Sequence, residues 1–400
     1  MSEEDKGGEL LVAAENGEID TAVSLLSSLP SLSSYVDEDG WNCLHFSAQN
    51  GHSKMVETLL SFGAAMNACD NEGRTPLYLA SCNDFVETVQ LLVEKGADFK
   101  ISSLEGTSPM AIATANDNKE IVDYFLTLSV PITQNNEGLS PLHTAVQNQN
   151  MEIINKLLAY PGVNIDVQTN DGITPLYMAA IAGSIPILAL LLEKGAAIDL
   201  SNEDGLSPLL IASYVGHLEV IQFLADKGAN IHHADKRGVQ AISGAASMGQ
   251  VPIVEFLVSK GAVVNIIDEE GQTPMFSASL SGHVSAVEWL LGHGGNPNIS
   301  EVNGVSPLMI ASLNAHPDVV QTLLNHGADV DHQDEGGRSA LHLATTISNK
   351  EIITILLESG ASPELKTLEG RTAKDFAESE EIPALLSASS PPPSQDAVLR

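Results

Sequence analysis

Twelve histidines are the side chains of this 400-residue chain best suited to metal or acid–base chemistry. Their placement argues for another use. His45, His143 and His342 each follow a leucine, while His52, His217 and His283 each follow a glycine and His316 takes the same place after Ala315. Histidines that recur in phase suit bonds between neighbouring turns. His232, His233, His293, His326 and His332 fall near the ends of the intervening segments, and no Cys or carboxylate spacing around His326 and His332 supports a zinc site. Cys43, Cys69 and Cys82 form no C-x-x-C pair, so neither a disulfide framework nor a metal knuckle is signalled. The Asp-Gly turns lack the acidic ladder of a calcium loop, and neither a Gly-rich phosphate loop nor a G-x-S-x-G elbow occurs. The expectation is a protein with no catalytic residue, no cofactor and no metal, hence not an enzyme.

Charge narrows the partners. With 52 acidic and 18 basic residues the net charge is −34. Such a surface repels phosphate, which disfavours nucleic acid and anionic membranes and favours a partner with basic and apolar surface. It also keeps a long chain soluble, and a monomer is expected. No run of 18 apolar residues is present to span a membrane. The acidic start Met1-Ser2-Glu3-Glu4-Asp5 is unlike a signal peptide, so the expected location is the cytoplasm, with the nucleus as alternative.

The elements that position these residues repeat. A turn glycine recurs at 40, 73, 106, 138, 172, 205, 238, 271, 304, 337 and 370. Eight of the ten spacings are 33 residues; a 32 and a 34 follow one another and cancel. Glu9 to Gly17 fits as an N-terminal cap, giving twelve repeats with both ends. Asp or Asn before Gly, as at Asp39, Asp171, Asp204 and Asn303, suits a tight reversal. Thr-Pro or Ser-Pro follows, as at Thr75-Pro76 and Ser207-Pro208, where the hydroxyl caps a helix and proline fills its first turn. Leu-x-x-Ala, a second glycine and a second apolar helix complete the repeat.

These residues resemble the ankyrin repeat: Thr-Pro-Leu-Tyr at 75–78 and 174–177, Ser-Pro-Leu-His at 140–143, Gly-His at 51–52, 216–217 and 282–283, Gly-Ala-Asp at 96–98 and 327–329. The resemblance spans nearly the whole chain. It implies an all-α solenoid of stacked helix-turn-helix units with projecting turn hairpins. We expect a flexible N-terminus over 1–7, a single solenoid over 8–386 and a disordered tail over 387–400. The paired length changes place an irregularity between repeats 4 and 6. Gly244 inside the first helix of repeat 8 should weaken that helix by about 1 kcal/mol.

In the ankyrin pattern, function lies in positions the framework leaves free, which face the concave side. The residue before each turn glycine is acidic at Asp39, Glu72, Glu105, Glu137, Asp171, Asp204, Glu270 and Glu369, and Lys236 and Arg237 interrupt the line. The residue after it is aliphatic at Leu139, Ile173, Leu206 and Val239, and the two columns at the end of the first helix turn apolar at Ile181, Tyr214, Val215 and Met248. An exposed apolar patch of this kind marks an interaction site. The expected contact core is Ile173, Ile181, Leu206, Tyr214, Val215, Val239 and Met248, ringed by the acidic tips. Trp41 stands apart as a second anchor or a shield for the cap. The expected function is a non-catalytic scaffold or adaptor that binds a protein or peptide on the concave face. The alternatives are a structural spacer or tether, or an adaptor recruiting a degradation or signalling complex.

Overall fold

A computed structural model describes residues 2–378 and 381–388, and among these the chain is all-helical, with no strand beyond two isolated bridges. Each internal repeat is a pair of short helices, such as Pro76–Cys82 followed by Val86–Glu94. The first helix begins as its sequence dictates. Thr75 Oγ1 accepts the Tyr78 N–H at 3.2 Å and Ser207 Oγ accepts that of Leu210 at 3.2 Å, with proline at the first helical position of both. These bonds satisfy N–H groups that a helix start leaves open. The second helix turns one face to the core, where Val56 and Leu59, Val89 and Leu92, Ile221 and Leu224, and Val254 and Leu257 are wholly buried.

The hairpins are bound to one another through the backbone. The carbonyl before a turn glycine accepts an N–H from the next hairpin: Asn71 to Asp39 at 2.9 Å, Leu104 to Glu72 at 2.8 Å, Lys236 to Asp204 at 3.0 Å, Val302 to Glu270 at 2.8 Å. Glycine is required at such a turn on two counts. Gly172 has φ of 78°, and a Cβ on it would lie 2.7 Å from the Glu203 nitrogen. The acid three residues earlier organises the turn, as where Asp70 Oδ1 accepts the Glu72 and Arg74 N–H groups at 3.0 and 2.8 Å.

The chain divides into two compact units, Met1–Glu203 and Asp204–Arg400. Residues 1–7, expected to be flexible, include the start of a helix, Glu3–Asn16. The reason is a capping box: Ser2 Oγ accepts the Asp5 N–H at 3.0 Å and Asp5 returns the bond to Ser2 N–H at 2.8 Å. Gly7 then packs against Tyr35 so closely that a Cβ would sit 2.5 Å from the ring. At the other end, Ser387 and Ala388 belong to the helix Glu381–Ala388, which buries Ile382 and Leu386; the rest of the expected tail, 389–400, lies outside the described residues.

Candidate functional site

The histidines serve the stack. Asn42, Ser140 and Ser339 each give a backbone N–H to Nδ1 of the histidine three residues on, at 3.1, 3.2 and 3.1 Å. Nε2 of those histidines then meets a carbonyl of the following repeat: Arg74 at 3.1 Å, Ile173 at 2.9 Å and Arg371 at 3.3 Å. An Nδ1 that accepts leaves its proton on Nε2, so the neutral ring fits. Burial lowers the pKa of all three. His52 and His316 bond back to the preceding repeat, at Glu15 and Leu280 carbonyls, 2.8 and 3.1 Å away. Asn118 replaces histidine there and gives Nδ2–H to the Ser81 carbonyl at 2.7 Å. His332 Nε2 faces Ser300 Oγ and the Gly304 carbonyl, both at 2.9 Å, while His326 Nδ1 is 2.8 Å from its own helix at Thr322. Among the described residues no group of three metal-ligating side chains converges. Burial pushes the Cys43 thiol up to about 12, which makes it inert.

The length changes open a cleft in the N-terminal unit. Ser129, with φ of 56°, replaces the usual glycine, and Tyr160-Pro161-Gly162 adds a residue one repeat later. Pro131, Tyr160 and Val163 border a space of about 640 Å³, and the Tyr160 hydroxyl donates to the Val130 carbonyl at 3.1 Å.

The contact core anticipated from sequence divides between the two units. In the N-terminal unit Ile181 is exposed, whereas Ile173 is half-buried and its carbonyl holds His143. Trp41 is committed within that unit: its ring meets Phe46 edge-on at 5.1 Å and Arg74 lies over it at 5.5 Å. In the C-terminal unit Val215 and Met248 are exposed and Leu206 and Tyr214 are half-buried. Val239 is only 8% exposed, so its side chain belongs to the framework. The acidic tips Asp39, Glu72, Glu105, Glu137, Asp171, Asp204 and Glu270 are all exposed, although Glu72 is paired with Arg74 at 2.9 Å.

Tyr214 explains Gly244. The helix Ala241–Ser247 is intact, and a Cβ on Gly244 would come within 3.2 Å of the Tyr214 ring. The glycine that propensity marks as a defect is the seat of an aromatic side chain from the preceding repeat. Burial raises the Tyr214 pKa and Asp235 adds to the rise, while Arg237, hydrogen-bonded to the phenol, opposes it. Two adjoining grooves share Tyr214 and Arg237, one of about 490 Å³ beside Leu206 and Lys236, the other of about 170 Å³ beside Ser247 and Leu280.

Sequence reasoning stopped the apolar face too early. The last or capping residues of five consecutive first helices, Val215, Met248, Leu280, Leu313 and Ile347, are all aliphatic or thioether and 37–48% exposed. Leu280, Leu313 and Ile347 stand in the same two columns, so continuing those columns would have found them. Leu104, Val302 and Leu368, two residues before a turn glycine, are exposed hairpin tips that a count of the acidic column alone passes over.

Comparison with known proteins bears on the whole array. A profile described as Ankyrin repeats (3 copies) matches residues 10–103, 96–169, 147–235 and 286–367, and one described as Ankyrin repeats (many copies) matches 244–291. No curated protein matches the chain. Ankyrin repeats are protein–protein interaction modules and are generally non-catalytic. Because the matched segments take in most of the sequence and coincide with the paired helices and bonded hairpins described above, this chain belongs to the ankyrin repeat family.

Proposed function

We propose that the chain is a non-catalytic scaffold that binds another protein through the first-helix ends of its C-terminal unit. The supporting observation is the unbroken row of exposed apolar side chains from Val215 to Ile347, one on each of five successive repeats. Leu206 and Tyr214 flank its start, and Asp204 and Glu270 add exposed acid beside it. A scattered apolar residue needs no explanation, but a contiguous row does. Methionine and tyrosine suit the role, one by adapting its shape and the other by combining ring area with a hydroxyl. The high negative charge favours a basic, apolar partner and a monomeric scaffold. Three free thiols are in keeping with a reducing compartment such as the cytoplasm.

The test replaces Val215, Met248 and Leu280 with serine together. All three are solvent-exposed, so the helical content and the unfolding midpoint should hold while affinity capture of the partner is lost. Capture that survives the triple change, with the fold intact, refutes this choice of face.

A further inference from the structure

We propose that the cleft of the N-terminal unit is a second binding site, one that takes the main chain of an extended, uncharged peptide segment. Three observations lead there. The first is a missing link between hairpins. Asn67, Asp166, Asn265, Asn298 and Asp331 each stand six residues before a turn glycine. Their side-chain oxygens accept an N–H from the following hairpin, on Asp98, Ala197, Asn296, Asp329 and Ser362, at 2.8–3.0 Å. Ile132 holds that place before Gly138 and has no side-chain oxygen to offer. The N–H in the matching place of the next hairpin, on Asn164, bonds to no group among the described residues. The two hairpins stay tied nearer their tips, where Asn170 N–H meets the Glu137 carbonyl at 3.0 Å and Gln134 Nε2–H meets the Gln168 carbonyl at 2.7 Å. The cleft between them is thus preformed.

The second observation is open backbone. Other hairpins close a turn here, as where Ile101 N–H meets the Asp98 carbonyl at 3.4 Å and Val167 N–H meets the Asn164 carbonyl at 3.3 Å. The 32-residue repeat lacks that turn, and residues 130–135 form neither helix nor turn. Pro131 fixes its own φ and holds Val130 extended. Among the described residues, the N–H and carbonyl groups of Ile132, Thr133 and Gln134 have no partner in the chain. All three residues line the cleft, as does Asn164. An open stretch with donors and acceptors is matched by another main chain, which offers both, whereas an anion offers acceptors alone. A paired strand bonds alternate residues of that stretch.

The third is the wall. Pro131, Tyr160, Pro161, Val163 and Val167 line the cleft, and no lining residue carries a charge, although the chain has 52 acids and 18 bases. A charge buried there would find no counter-charge, which is costly. Apolar side chains of an occupant meet the prolines, the valines and the Tyr160 ring, which its bond to the Val130 carbonyl at 3.1 Å holds in place. At about 640 Å³ the space has the size of a binding cleft.

The experiment uses the isotope-labelled full chain and a capped peptide, acetyl-Thr-Val-Thr-Val-Thr-amide, whose extended length of about 16 Å matches a stretch of equal length in the cleft wall. Calorimetric titration reads affinity, and amide NMR shifts read the place. The Ile132, Thr133 and Asn164 amides should move most. The same peptide N-methylated at both valines should bind at least tenfold more weakly, as should versions with lysine or glutamate in place of valine. Ile132→Asn returns the missing acceptor and should weaken binding at least tenfold while the urea midpoint holds or rises. No binding of the peptide, or largest shifts elsewhere in the chain, overturns the proposal. Equal binding of the N-methylated peptide means that the cleft takes apolar groups and not main chain, and tighter binding of the lysine peptide reduces the interaction to net charge; either result overturns it. Full affinity in a folded Ile132→Asn variant does so too. If that variant does not fold, the shift map and the N-methyl comparison on the wild-type chain decide. The serine triple variant at Val215, Met248 and Leu280 should bind the peptide as the wild type does, which separates this site from the face proposed above; loss of binding there overturns it.

Discussion

The first helices end differently in the two units. In the N-terminal unit the helices Cys43–Gln49, Pro76–Cys82, Pro109–Ala115 and Pro141–Gln147 are followed by Asn50, Asn83, Asn116 and Asn148. Their amides work on backbone carbonyls: Asn50 on Phe46 at 2.9 Å, Asn83 on Leu79 at 2.9 Å, Asn116 on Cys82 at 2.7 Å and Asn148 on Ala115 at 2.8 Å. The last two reach the preceding repeat, so the column ties neighbours together and satisfies helix ends. In the C-terminal unit the same position holds Val215, Met248, Ser281, Asn314 and Ile347, and the residue before it exposes Leu280 and Leu313; Asn314 keeps the amide bond, to Leu280 at 2.9 Å. The N-terminal column serves the fold. The C-terminal helix ends leave apolar side chains 37–48% exposed, and the proposed binding face would use them.

The largest consequence is for binding. Replacing the five exposed residues with asparagine removes the apolar row and leaves the paired helices in place. Affinity for the partner recovered on the wild-type chain should fall at least 100-fold, about 2.7 kcal/mol. Stability should move by no more than about 0.5 kcal/mol per exposed site. Calorimetric titration and urea unfolding measure the two separately. A large loss of stability with binding retained would mean that this column, too, belongs to the framework.

The next consequence concerns the buried histidines, two of which, His45 and His143, lie in the N-terminal unit and one, His342, in the other. Their folded-state pKa values are lowered by burial, below the unfolded value near 6.5. Below that pH the unfolded chain takes up protons that the folded chain refuses, so stability is full above it and falls as pH drops toward the folded values. Amide exchange on the full chain, corrected for intrinsic rates, should show the N-terminal unit loosening more than the C-terminal one between pH 7.5 and 5.5. His143→Ala should remove that unit's larger response and cost about 1–3 kcal/mol at neutral pH, since the Ile173 carbonyl and Ser140 N–H lose a buried partner. Equal loosening of both units would remove the histidines as the cause.

A smaller effect belongs to the asparagines. Asn148→Leu would extend an apolar column into the N-terminal unit, but it deletes the bond to the Ala115 carbonyl. The expected loss is about 1 kcal/mol in urea unfolding. Asn50→Leu, whose amide stays within its own helix, should lose less. A gain in stability from either would mean that the column is free to vary.

Much of this was legible in the sequence because the framework is local. Thr-Pro or Ser-Pro at a helix start, Asp or Asn at a turn and glycine at positive φ act within a few residues, and the 33-residue period displays the turn glycine eleven times and the Pro start seven. The site was less legible because exposure is set across repeats. Val239 and Met248 are both apolar residues at free positions of one repeat, yet the first is buried by the framework and the second is open. Nothing within the repeat separates them. Gly244 is misread for the same reason, since the Tyr214 ring that requires it comes from the preceding repeat. The N-terminal cap over Glu9 to Gly17 is legible, whereas the start of its helix at Glu3 rests on the Ser2–Asp5 box.

The smallest effect separates strain from function at the turn between paired helices. Glycine holds that position at 183, 216, 249 and 282, but Ala315 holds it with φ of 60° and Asp117 with φ of 60°. A left-handed conformation costs an ordinary residue about 1–2 kcal/mol, and glycine's extra chain entropy returns about 0.5–1 kcal/mol of that. Ala315→Gly should therefore stabilise the C-terminal unit by about 0.5–1 kcal/mol. Ala315 is exposed and no side-chain bond is lost. Asp117→Gly should gain nothing, because Asp117 tolerates the conformation and its carboxylate accepts Asn150 Nδ2–H at 2.9 Å and Asn148 Nδ2–H at 3.3 Å. Thermal unfolding of the two variants gives the comparison. If both gain alike, the carboxylate bonds in the N-terminal unit are worth nothing; if Ala315→Gly also weakens the partner, the turn beside Leu313 is part of the binding face.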